Sequence, residues 1–232
     1  MQAIAKHPKA DLQNISDNNI LRPSSKTRGV LIGANMKIYD ISQELFSCVV
    51  WPGDPAPKKE TLCSIDKGDI INLTAFSMCA HNGTHIDAPS HFINHAKNVD
   101  QIDLSKFIGE AFVADFEGNV TADDAYTILD KAKSISEEAA KRILLKGNTT
   151  VTLEAAKVFA DAGIDLIGNE SQTVGPEDGP MAVHKVLLGA EVVLLEGVRF
   201  SHVPEGVYLL NAAPINLAGA EGAPCRAVLI NM

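Results

Sequence analysis

The stretch HNGTHIDAPSHF, residues 81–92, gathers three of the chain's seven histidines and an aspartate into one short segment. His81, Gly83, His85, Asp87, Pro89 and His91 are all odd-numbered, so in extended backbone they would point to one face. A straight strand would still hold His81 and His85 roughly 13 Å apart, too far to share one ion. The chain must therefore curl within the segment, and Gly83 is placed to permit that. Pro89 fixes the backbone beyond Asp87 and steers Ala88 away from helix. Both effects disfavour an i, i+4 helical pair of the HExxH kind, which would also need a Glu after the first His. Imidazoles with one carboxylate are the donor set of a catalytic divalent ion with an open position, Zn²⁺ above all.

Composition narrows the partners. Twenty Lys and Arg against 29 Asp and Glu leave a net charge of −9, which argues against a nucleic-acid partner. No run approaches about eighteen uninterrupted apolar residues, so no membrane span is expected. Cys48, Cys63, Cys79 and Cys225 show no CxxC spacing and read as free thiols of a cytoplasmic protein, with a zinc ribbon excluded. The N-terminus lacks the charged start and apolar core of a secretory signal. Residues 1–35 are polar and weakly periodic and read as a flexible extension, leaving 36–232 as one domain.

Strand-like alternation opens at Met36, and short apolar runs such as Ile70 to Phe76 are separated by Gly and Pro signals including WPGDPAP. EAFVADF, residues 110–116, reads as a buried strand. Residues 134–147 read as a helix with Ser136 as N-cap and Gly147 as stop. Residues 152–163 repeat that grammar with Thr152 and Gly163, and run directly into the apolar IDLIG. EVVLLEGV and CRAVLI supply two more strands, so the chain is expected to be α/β.

The segment HNGTHIDAPSH resembles the HxGTHxDxPxH signature of the metal-dependent cyclase superfamily, which includes bacterial kynurenine formamidases (arylformamidases) and isatin hydrolases. YDISQEL, WPGDP, VHKVLL and the Glu-Gly pair at Glu196 extend the resemblance over most of residues 36–232. It implies a swivelling β/β/α fold with a mixed, barrel-like central sheet, flanking helices and a homodimer. It also implies that His81, His85 and Asp87 hold one Zn²⁺, with His184 and Glu196 completing a second site and Mn²⁺ as an alternative. His91 matches the family's proton donor and acceptor, and Trp51 its substrate-contacting tryptophan. Apart from the resemblance, His184 reads more readily as a core histidine and Glu196 as a solvated charge, while Trp51 reads equally as a packing anchor and as an aromatic substrate wall.

The expected function is hydrolysis of an amide or formamide by metal-activated water, with N-formylkynurenine as the leading substrate. Cyclic amides of the isatin kind, a cyclase or dehydratase reaction on a hydroxy acid, and non-catalytic metal binding are the alternatives. No GxSxG elbow is present, so no serine nucleophile is expected. GNESQTVGPEDGP, residues 168–180, departs from the formamidase pattern and makes Asn169, Glu170 and Gln172 candidates for a different substrate-facing wall.

Overall fold

Three short apolar runs, RILLK, LIGN and VLLE, are buried along nearly their whole length, which requires cover on both faces of the sheet they form. In the computed structural model, which describes residues 36–231, they are the parallel centre of a nine-stranded mixed sheet. The extension read over residues 1–35 lies outside the described residues.

The chain opens with β1 (Lys37–Asp40), then β2 (Lys58–Cys63) and β3 (Leu73–Ser77), which pair only with each other as an antiparallel hairpin. β4 (His85–Asp87), β5 (Ile108–Asp115) and β6 (Gly118–Val120) lead into α1 (Ala122–Ile135). β7 (Arg142–Lys146), β8 (Thr149–Val151), α2 (Leu153–Asp161), β9 (Leu166–Asn169), α3 (Met181–Gly189) and β10 (Val193–Glu196) follow. β11 (Gly206–Asn211), β12 (Gly222–Pro224) and β13 (Val228–Asn231) close the chain. The large sheet runs β1-β13-β11-β5-β7-β9-β10-β4-β12. β5, β7, β9 and β10 are parallel, and the strands outside them pair antiparallel.

Period-two alternation divides the core. Phe112, Ile143, Ile167 and Leu194 pack under the helices with Leu129, Phe159 and Leu187. Their neighbours Val113, Leu144, Leu166 and Leu195 face the other way and are covered by Phe107, Phe200, Leu210 and Leu229. The sheet curls into a half-barrel around this second cluster, as the family resemblance implied.

The helix expected over residues 134–147 is not there. Ser136 ends α1 instead of starting a helix, its hydroxyl bonded to the Glu110 carboxylate, and Ala139–Lys141 make a single 3₁₀ turn. The following RILLK is strand β7, because the slot between β5 and β9 buries both of its faces. The true helix begins at Thr121, whose hydroxyl and Asp124 carboxylate form a reciprocal capping box. The Thr152 cap and Gly163 stop behaved as expected for α2. Among the described residues no helix is long and apolar enough to cross a membrane, and all four cysteines are free.

Candidate metal centre

β4 lies between β10 and β12, with His85 opposite Glu196 and Asp87 opposite Gly222. Directly paired residues share a face, so His85, Asp87 and Glu196 all project to the side covered by α3. Ile86 projects to the opposite core. α3 contributes His184, and the turn before β4 contributes His81. Extended backbone is confined to His85–Asp87, and the curl expected between His81 and His85 is present. Gly83 takes a φ of +68° and turns the chain. Pro89 opens a 3₁₀ turn that returns His91 to the cluster, its ring centroid 4.1 Å from that of His81.

Two donor groups share Asp87. His81, His85 and Asp87 form one, and Asp87, His184 and Glu196 the other; within each, the ligand atoms lie within 4.8 Å of one another. Asp87 Oδ1 is 2.8 Å from His81 Nδ1 and 3.4 Å from His85 Nε2. Glu196 Oε1 is 3.1 Å from His184 Nε2, and its Oε2 is 3.5 Å from His85 Nε2. The outer nitrogens are held from behind. His85 Nδ1 donates to the Gly83 carbonyl at 3.0 Å and His184 Nδ1 to the Pro180 carbonyl at 2.9 Å, which leaves each Nε2 lone pair facing the cluster. Val174 N–H fixes the Glu196 carboxylate at 2.8 Å.

Electrostatics and unmet bonding identify the guest this cluster suits. Burial disfavours a charged His85, yet the Asp87 and Glu196 carboxylates outweigh it and push its pKa up to about 10. Burial likewise opposes charge on His81 and His184, but Asp87 with Glu221 raises the first, and Glu196 with Asp87 raises the second. Burial would raise Asp87, but His81 and His85 hold it well below the usual carboxylate range. The carboxylates thus draw protons onto three imidazoles, those of His85 and His184 buried and that of His81 half-buried. A divalent cation supplies the same positive charge in their place, with the imidazoles neutral. Asp87 Oδ2 is buried without a hydrogen-bond partner, 3.6 Å from His184 Nε2, and is free to coordinate. His81, His85, Asp87, His184 and Glu196 therefore fit a metal.

His91 behaves differently. Burial lowers its pKa, Asp87 opposes this, and His81 and His184 push it down further, so it stays neutral near pH 7. Its Nε2 is 3.8 Å from Asp87 Oδ2, outside both donor groups. The cluster opens into a cavity of about 420 Å³ whose walls include Trp51, Phe92 and Gln172. Of the three residues expected in the altered wall, Gln172 lines the cavity and Asn169 does not. Asn169 is fully buried and bonds the Thr149 and Thr173 carbonyls. Glu170 lines an adjoining cavity, its carboxylate accepting from Gly147 N–H and Phe200 N–H. Sequence reasoning missed Glu221, whose Oε1 is 3.3 Å from His81 Nε2. It also missed Asp54, which accepts from Cys79 Sγ at the rim. The WPGDP motif carried the signal for Asp54; nothing local marks Glu221.

Known proteins align with this arrangement. The sequence profile of the cyclase family matches residues 39–176. A kynurenine formamidase of Erythrobacter litoralis is 31% identical over 207 residues, 83% of this chain and 93% of that protein. One from Bacillus cytotoxicus is 32% identical over 204 residues, 82% and 95% respectively. A solved structure described as a predicted metal-dependent hydrolase from Bacillus stearothermophilus superposes with a TM-score of 0.72 at 28% identity, covering 86% of this chain and all of that one. Isatin hydrolase A of Labrenzia aggregata, at 21% identity and a TM-score of 0.71 over 84% of this chain and 93% of that one, shares the fold. With the profile spanning more than half of its length and relatives above 30% identity along nearly theirs, the chain belongs to the cyclase family.

Proposed function

We propose that the chain is a metal-dependent hydrolase that cleaves an aryl formamide of the N-formylkynurenine type to the arylamine and formate. The observation that carries this is the convergence of two buried donor groups on Asp87, with the neutral His91 beside them and an aromatic-walled cavity in front. Relatives named kynurenine formamidase support the substrate class.

His81, His85 and Asp87 would hold one Zn²⁺, and Asp87, His184 and Glu196 a second, with Mn²⁺ an acceptable substitute for the same donors. When bound, such an ion lowers the pKa of water from about 16 to about 7 and polarises a carbonyl oxygen. The chain's own residues supply the rest. His91 Nε2, neutral at working pH, takes the proton of the attacking water and returns it to the departing amine nitrogen. The C–N bond breaks as the new C–O bond matures, so water is consumed and formate leaves. Trp51 stacks on the aryl ring and keeps bulk water from the reacting carbonyl.

A homodimer accords with the family resemblance and with the apolar residues that the β2–β3 hairpin exposes, among them Leu62, Leu73 and Phe76. A cytoplasmic location accords with the free cysteines. Residues 36–232 form the catalytic domain in this reading, and 1–35 an appendage outside it.

The test is hydrolysis of N-formylkynurenine before and after chelation, with isatin assayed in parallel. Formamide cleavage that chelation abolishes and Zn²⁺ or Mn²⁺ restores is expected. Cleavage of isatin alone would move the substrate to cyclic amides, and chelator-insensitive cleavage would contradict the mechanism.

A further inference from the structure

A second cavity of about 410 Å³ adjoins the metal centre, and the two share Trp51 and Gln172 as common walls. Arg199 lines the second cavity and does not reach the first. Of the three arginines among the described residues, Arg142 is paired with Glu138 and Asp165, and Arg226 with Asp40. Arg199 alone has no carboxylate within ion-pair distance among those residues. Its Nη1 donates to the Glu170 and Val198 carbonyls, which orient the guanidinium and leave its remaining donors unused. A half-buried guanidinium anchored through one nitrogen is pre-organised for an anion. The Glu170 carboxylate in the same cavity is occupied by two backbone N–H groups. Glu177, also in the lining, is exposed and has no ion pair among the described residues. One unpaired cation in a lining that also carries the Glu170 and Glu177 carboxylates suits a zwitterion better than a dianion. The Gln172 amide, which divides the cavities, has both polar atoms buried without a hydrogen-bond partner, so no bond holds it as a barrier.

We infer that this second cavity is a substrate subsite in which Arg199 binds the carboxylate of an amino-acid group at the far end of the amide cleaved at the metal centre. The inference rests on the proposed hydrolase reading and narrows it. The substrate is an aryl formamide with an α-amino-acid side chain, which lies past Trp51 with its ammonium towards Glu177. A cyclic amide without such a group leaves the subsite empty.

The experiment compares kcat/KM for N-formylkynurenine and for 2-formamidoacetophenone, which keeps the ring, ketone and formamide but lacks the amino acid. The ratio of the two is read in the metal-loaded full chain and in Arg199→Met. Loss of a charge-assisted bidentate contact is expected to lower the ratio by about tenfold or more. An unchanged ratio overturns the subsite and leaves the hydrolase reading standing. Cleavage of neither compound by the wild-type chain overturns the formamidase reading, and the subsite with it. If Arg199→Met does not fold, product inhibition of the wild-type chain gives the same decision. Kynurenine should then inhibit at about tenfold lower concentration than 2-aminoacetophenone, and equal inhibition overturns the assignment.

Discussion

A methyl group at Gly222 would test the metal centre without replacing any of its proposed ligands. Gly222 sits opposite Asp87 on β12, and a Cβ built there would come within 2.6 Å of His81 Cε1 and 2.8 Å of the Ile86 carbonyl. Its φ lies outside the left-handed region, so alanine meets no backbone penalty and the effect is one of contact. Carbon atoms settle at about 3.5 Å, so the imidazole would have to retreat by about 1 Å. Metal–ligand distances tolerate only about 0.2 Å. Displacing one ligand by several times that tolerance should weaken binding about 10- to 100-fold, or about 1.4–2.7 kcal/mol. The assay is titration of metal-stripped Gly222→Ala with Zn²⁺ against a competing chelator, with circular dichroism to verify the fold. A folded variant that binds Zn²⁺ as tightly as wild type would refute His81 as a ligand.

Further outcomes follow from the same geometry. His91→Ala should retain the metal but lose about 10²- to 10⁴-fold in kcat; full activity at equal metal content would sink the proton-transfer role. Asp87→Ala removes the carboxylate common to both donor groups and should leave metal content near zero by elemental analysis; retained metal would contradict the shared role. In metal-stripped protein His85 is raised from 6.5 to about 10, so its stabilising contribution is complete below about pH 6.5 and is lost as pH climbs through about 10. Metal binding needs the deprotonated ring, so the difference in thermal midpoint between loaded and stripped protein should widen from about pH 7 to about pH 10; a narrowing difference would show that protons and metal do not compete there. Deleting residues 1–35 should leave both activity and thermal midpoint nearly unchanged, because the two donor groups proposed to hold metal lie within residues 36–231; a large loss of either would contradict their placement outside the catalytic domain.

What the sequence made legible depended on how local each constraint was. His81, His85, Asp87 and His91 are close neighbours in the chain, so their alternation and the need for a curl at Gly83 could be read directly. His184 and Glu196 gain meaning only when α3 is folded over β10, and the family resemblance supplied what their spacing could not. RILLK reads as the end of a helix because Ser136 and the acids after it are good capping residues in isolation. The pairing of β7 with β5 and β9 overrides that local preference. Asn169 looks like a solvated loop residue, yet its amide is spent on the Thr149 and Thr173 carbonyls. Glu221 meets His81 across 140 positions of chain, and Arg199 is conspicuous only once Arg142 and Arg226, the other arginines among the described residues, are seen to be paired. Contacts of that range leave no periodic trace in a sequence.

The most direct test of the metal-dependent reading is elemental mass spectrometry on freshly purified protein, with N-formylkynurenine turnover measured on the same sample. Two divalent ions per chain, and turnover that falls in proportion as they are removed, are expected from the two donor groups sharing Asp87. Undiminished turnover by protein that holds no metal would contradict it.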